Sequence, residues 1–175
     1  MIDIEVQDLG PLNLVGLSQT TRLAAAETPN LWRSFGPRIQ EVSARADSYR
    51  YSLRQYPEKL TEAGMTPETE YTEWAAVALS NADDTLPDGL ELLRLPGGTY
   101  AHFTYRGLPQ DFGRALQYLM QVWMPSSGYY IDNARPHFER MGADYRPDDP
   151  EASEEVFVPV LPLTDANGFA AASLS

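Results

Sequence analysis

Apolar and polar residues alternate from the second residue onward. Ile2, Ile4 and Val6 fall on one side and Asp3, Glu5 and Gln7 on the other, the period-2 pattern of a strand with one buried face. Gly10-Pro11 is expected to end that strand, and residues 12–21 read as a second one. A helix start follows, with Thr28 as N-cap and Pro29 at the first helical position. Its apolar face is Leu31, Trp32, Phe35, Ile39 and Val42, and Gly36-Pro37 inside that face predicts a kink or two short helices. Residues 49–54 alternate Tyr49, Tyr51 and Leu53 against Arg50, Ser52 and Arg54, a strand with one aromatic face. After a polar loop over 55–70, strands are predicted at 71–79 and 90–95, separated by a turn-rich stretch.

The same plan recurs in the second half. Gly97-Gly98 reads as a hairpin leading into a strand at 99–106, and Pro109 opens a helix with Leu108, Phe112, Ala115, Leu116, Leu119, Met120 and Trp123 spaced by three and four. Pro125 is expected to stop it. Strand, helix, further strands: the order occurs twice, which suggests an internal duplication of βαββ units. The predicted fold is α+β, a mostly antiparallel sheet with both helices on one face and a ligand cleft at the pseudo-twofold. One domain is expected over residues 1–162, with halves of roughly 1–88 and 89–162 and a loosely held tail at 163–175.

The closing strand carries the candidate chemistry. Val156, Val158 and Val160 form a β-branched face suited to packing against helices, so Glu155 and Phe157 point together to the opposite side, and Glu154 points away from them. If that opposite side is a cavity, Glu155 is a buried acid that a cationic ligand would satisfy; in open water it is an ordinary solvated residue. Tyrosines and tryptophans exceed what a plain core needs, and Tyr49, Tyr51, Trp74, Trp123, Tyr129 and Phe157 are the expected cleft lining. Without a ligand, Glu155 is expected to hold a proton at raised pKa, bind water, or lean on a tyrosine hydroxyl such as that of Tyr51 or Tyr129.

Other chemistries find little support. The sequence has no cysteine, which excludes disulfides, thiolate nucleophiles and cysteine-based zinc sites. His102 and His137 lack metal-ligand spacing, and no nucleophile elbow, phosphate loop or dinucleotide fingerprint occurs, so no catalytic residue, metal or cofactor is assigned. A net charge of −12 repels nucleic acid and anionic lipid and attracts cations. The charged amino terminus and the lack of a long apolar run argue against a leader or a membrane span, and point to the cytoplasm.

Four motifs, in order, resemble a known family. Leu95-Pro96-Gly97-Gly98-Thr99-Tyr100-Ala101-His102-Phe103, then Trp123-Met124-Pro125-Ser126-Ser127-Gly128-Tyr129, Pro136-His137-Phe138-Glu139, and Glu155-Val156-Phe157-Val158-Pro159-Val160 are similar to stretches of the GyrI-like proteins. That superfamily includes the effector-binding domains of AraC-type and multidrug-responsive transcription regulators. The resemblance implies paired βαββ modules, an aromatic cleft between them, and a closing-strand glutamate, here Glu155, that pairs with lipophilic cations. It also implies two alternatives: hydrolysis of electrophilic toxins with Glu155 as general acid or base, and modulation of a protein partner such as gyrase. No helix-turn-helix precedes the first strand, so direct DNA binding is not expected.

Overall fold

The computed structural model describes residues 2–57, 60 and 66–164. Its strands are β1 (Glu5–Leu9), β2 (Leu12–Arg22), β3 (Arg50–Gln55), β4 (Glu70–Ala78), β5 (Glu91–Leu95), β6 (Gly98–Arg106), β7 (Tyr129–Ile131), β8 (His137–Met141) and β9 (Ser153–Pro162). They form one antiparallel sheet in the order β1-β6-β9-β8-β3-β4-β2-β5, with β7 added to β9. The helices are α1 (Thr28–Phe35), α2 (Phe112–Tyr118) and the short α3 (Met124–Ser127). No described helix is long and apolar enough to cross a membrane.

Gly10-Pro11 ends β1 as expected, but Gly97-Gly98 is not the hairpin the sequence suggested, and neither pair reverses the chain. β1 pairs with β6 up to Leu9↔Gly98, and β2 pairs with β5 from Leu12↔Leu95 onward in the same register. Gly10-Pro11 therefore faces Pro96-Gly97 within one continuous two-stranded ribbon. Proline has no N–H to give the ladder, so pairing lapses there without the chain turning back. Leu9 and Leu12, three residues apart, both pack against the same hydrophobic cluster, so the regular alternation of faces is interrupted at the break. Each half thus lends its leading strand to the other half's edge.

A quasi-twofold through this break exchanges β2 with β6, α1 with α2, β3 with β8 and β4 with β9. Alternation sorts the strands onto two faces. On the helix side, Val15, Ala75 and Val77 pack with Leu31 and Phe35 of α1, while Ala101, Phe103, Val156, Val158 and Val160 pack with Ala115 and Leu119 of the second helical segment. On the other side, Leu14, Tyr51, Leu53, Trp74, Tyr100, Phe138 and Phe157 form an aromatic core. Each fully buried side chain of this size contributes about 1.5–3 kcal/mol.

Two helix details depart from expectation. Thr28 is not the N-cap; Glu27 is, without a side-chain cap, and the Thr28 hydroxyl donates to Glu73 Oε2 at 2.8 Å instead. A buried carboxylate is a stronger acceptor to satisfy than an exposed helix end is a donor. Pro125 does not stop the second helix, because Leu119–Trp123 widens into a π turn that accommodates the proline in the following α3 turn. The helix ends at Gly128, whose φ of 79° is the left-handed cap.

Candidate functional site

The two helices cover the flanks of one sheet face and leave a central strip, carried by β3 and β8 and bordered by β4 and β9. Three rows of side chains cross it. Leu17, Ala75, Ser52, Glu139, Val156 and Phe103 lie directly opposite one another in the middle row. To one side runs Gln19, Glu73, Arg54 and His137, and to the other Tyr105, Glu154, Met141 and Arg50. The quasi-twofold equates Glu73 with Glu154 and Arg54 with Met141.

Three carboxylates thus share the strip with two guanidinium groups, Arg54, which faces Glu73 and Glu139 from the strand between them, and Arg50, which donates to the carbonyls of Gly142 and Tyr145. Glu139 is 4% exposed and accepts from Arg54 Nη2. Glu73 is 3% exposed and is held by neutral donors, the Gln19 amide and the Thr28 hydroxyl. Glu154 has no hydrogen-bond or ion-pair partner among the described residues, and burial, reinforced by the charge of Glu139 and only partly offset by that of Arg54, raises its pKa to about 7. Burial opposes the charge of Arg54, but Glu139 and Tyr56 outweigh it and the guanidinium stays ionised. His137 is the reverse case: burial, then the charges of Arg54 and Arg135, lower it to about 3, so it is neutral.

Tyrosines border the strip. Tyr56 lies 5.6 Å from the Tyr71 ring and 4.8 Å edge-on from His137, and burial raises the pKa of both phenols. Tyr145 is pushed up to about 12 by burial and by Glu154 and Glu139. These groups can stabilise a desolvated organic cation through carboxylate charge and ring faces together. An open depression of about 530 Å³ beside α1, lined by Gly36, Pro37, Ile39, Gln40, Val42 and Arg45, offers no carboxylate. Among the described residues no group of three or more His, Asp and Glu side chains is disposed to hold a metal ion.

The structure divides the sequence-derived residues between the two faces. Tyr49, Tyr51, Trp74, Glu155 and Phe157 lie on the helix-free face, where Tyr51, Trp74 and Phe157 are buried in the core. Trp123 and Tyr129 stack at 6.4 Å in the helix-side cluster, across the sheet from the rest. Glu155 does not hold a raised pKa, bind a tyrosine or await a partner. β8 sets Arg140 directly opposite it, and both carboxylate oxygens accept from that guanidinium. The Arg140 hydrogen bond, followed by its charge and that of His102, holds the Glu155 pKa below the usual carboxylate range. The Arg140 guanidinium also sits 4.6 Å from the Tyr49 ring and 5.1 Å from Phe157, so the carboxylate-and-ring box around Glu155 contains the protein's own cation. Tyr51 donates to Asp47 instead, at 2.7 Å.

Sequence reasoning missed Glu73, Arg54, Tyr56 and Tyr145, counted Tyr71 only among the surplus aromatics and Glu139 only within a family motif, and treated Glu154 only as the neighbour of Glu155. One signal was present: Glu73 falls by alternation on the same strand face as the apolar Ala75 and Val77, where an acid survives only with partners.

Residues 2–161 match the family described as the GyrI-like small molecule binding domain. No functionally curated protein matches the sequence closely enough to count as a relative. Solved structures share the fold. SAV2435 bound to tetraphenylphosphonium superposes with a TM-score of 0.66 at 17% identity, covering 93% of this chain and 96% of that one. The EcmrR C-terminal domain gives 0.69 at 14% identity over 93% and 99%. A hydrolase from Listeria innocua gives 0.57 at 12% over 90% and 91%.

Proposed function

This chain belongs to the GyrI-like small molecule binding domain family, and from that membership we propose that the small molecules it binds are lipophilic organic cations, held on the central strip between the helices. The observation that carries the reading is the charge imbalance there: Glu73, Glu139 and Glu154 against Arg54 and Arg50, of which only Arg54 pairs with one of these carboxylates, with Glu139 and Glu73 almost wholly removed from water and Tyr56, Tyr71 and Tyr145 around them. Burying carboxylates without full compensation is costly, and a hydrophobic cation relieves that cost while its apolar groups cover the rings. Tetraphenylphosphonium, the ligand named for the similar SAV2435 structure, supplies the probe. At a concentration about a hundredfold above its Kd, a ligand specific for the native state adds about 2.7 kcal/mol of stability. Thermal unfolding with tetraphenylphosphonium and with neutral triphenylphosphine oxide is the test. A rise in Tm with the cation that exceeds the rise with the neutral compound, and that shrinks in Glu154→Gln, is expected; no rise with either compound sinks the reading.

A second reading places the ligand on the opposite face, at Glu155 with Tyr49, Tyr51, Trp74 and Phe157. The position of Arg140 favours it, since a planar cation already fits that box. A ligand there has to displace Arg140, so a shift that survives Glu154→Gln and disappears in Glu155→Gln would select this face.

A further inference from the structure

We propose that Arg54 sets the charge selectivity of the central strip: it is a tethered guanidinium that keeps Glu139 for itself and leaves Glu154 as the carboxylate open to a ligand's cation. This rests on the reading above and deepens it. Four observations carry it. Arg54 is the cation paired with Glu139, its side chain 24% exposed and that of Glu139 5%, so the pair sits at the floor of the strip rather than at its rim. It also stands directly across the ladder from Glu73, which neutral donors already satisfy. The quasi-twofold places Met141, an apolar residue, where a second Arg54 would stand, and Met141 lies directly opposite Glu154. Glu154 consequently has no cation across from it, and no ion-pair partner among the described residues.

The strip is thereby polarised. At the Arg54 end a ligand's positive centre meets a fixed guanidinium that it would have to repel or displace, and Arg54 competes as a neighbour on the same chain rather than as a solute. At the Glu154 end it meets a carboxylate faced by a methionine, and the Arg50 guanidinium beyond Met141 is engaged by the carbonyls of Gly142 and Tyr145 rather than by Glu154. The ligand class that fits is a molecule with one positive centre and an apolar or hydrogen-bond-accepting remainder reaching toward Arg54. Molecules with two positive centres are disfavoured by repulsion at the second end.

The test measures Kd for tetraphenylphosphonium and for neutral triphenylphosphine oxide at a pH about two units above the Glu154 value, so that the carboxylate stays ionised even when the lowering charge of Arg54 is removed, in the full chain and in Arg54→Met, Arg54→Gln and Met141→Arg. Removing the tethered cation should raise the preference for the cation over the neutral compound by about tenfold in Arg54→Met and Arg54→Gln, the scale of one partly screened charge. Met141→Arg, which installs a guanidinium opposite Glu154, should lower that preference by a similar factor. An unchanged preference in folded Arg54 variants makes Arg54 a structural residue and overturns the proposal. If both Arg54 variants fail to fold, Met141→Arg decides, with an unchanged preference again overturning it. A wild-type chain that prefers the cation while the variants show no change retires this inference alone, whereas a chain in which neither wild type nor any variant binds either compound retires the proposed function as well.

Discussion

Alternation along β9 sends Glu154 toward the helix side and Glu155 away from it, and the two carboxylates shift in opposite directions. Burial raises Glu154 from 4.5 to about 7 in the folded protein. A raised acid stabilises the native state fully below its unfolded pKa, and that stability is lost as pH climbs from there through about 7. Glu155 is the opposite: Arg140 lowers it, so its contribution is present at neutral pH and lost as pH falls through its lowered value. His137, lowered to about 3, also loses stability toward acid, and cancels when wild type and a Glu variant are subtracted. Glu154→Gln should therefore flatten the decline between about pH 4.5 and 7 and leave the protein more stable near pH 8 by about 2 kcal/mol, discounted for partial exposure. Glu155→Gln should instead destabilise at neutral pH by on the order of 1 kcal/mol, because Arg140 loses its carboxylate while both side chains are 29% exposed. Urea midpoints across that pH range check both, and identical profiles for the two variants would refute the assignment of faces.

At the scale of elements, the ribbon of β1-β2 against β5-β6 decides how the sheet closes. Gly97 sits where the two chains come closest: a methyl there would stand 2.7 Å from the Leu9 carbonyl oxygen and 3.0 Å from the Pro11 nitrogen. Both neighbours are backbone and cannot swing aside. Its counterpart across the ribbon, Gly10, has nothing within 4 Å of an added methyl. Gly97→Ala is expected to cost about 1–3 kcal/mol, the scale of overpacking, and Gly10→Ala well under that. Chemical denaturation of the pair measures it; equal costs would show that the close approach is not what glycine serves at 97. The π turn at Leu119–Trp123 follows the same logic of local accommodation, since it lets the helix pass Pro125 and bring Trp123 onto Tyr129.

At the scale of the whole molecule, the halves are interleaved rather than adjoined. β5 completes the edge of the first half, β1 that of the second, and β3 pairs with β8 at the centre. The aromatic core also draws on both, with Tyr51 and Trp74 against Tyr100, Phe138 and Phe157. A fragment of residues 1–88 should consequently fail to fold alone and recover structure when combined with 89–162, read by circular dichroism; cooperative melting of the first fragment alone would contradict this. Much of this architecture was legible in the chain. Period-2 runs located β2, β3, β4, β6 and β9, helical spacing located both helices, and the valine face of β9 was correctly turned toward them, because burial of one face imposes its periodicity on the residues. Motif order identified the family. Alternation also determined that Glu155 and Phe157 share a side. What it could not determine is what stands across from each residue, since strand partners are set by pairing between segments far apart in sequence. Only the tertiary structure put Arg140 opposite Glu155 and Met141 opposite Glu154, and made one acid an ion-pair member and its neighbour a carboxylate without an ion-pair partner among the described residues. Only it ran Gly10-Pro11 past Pro96-Gly97 as a ribbon, because a Gly-Pro pair satisfies a turn and an interrupted ladder equally well, and the choice belongs to the strands on either side.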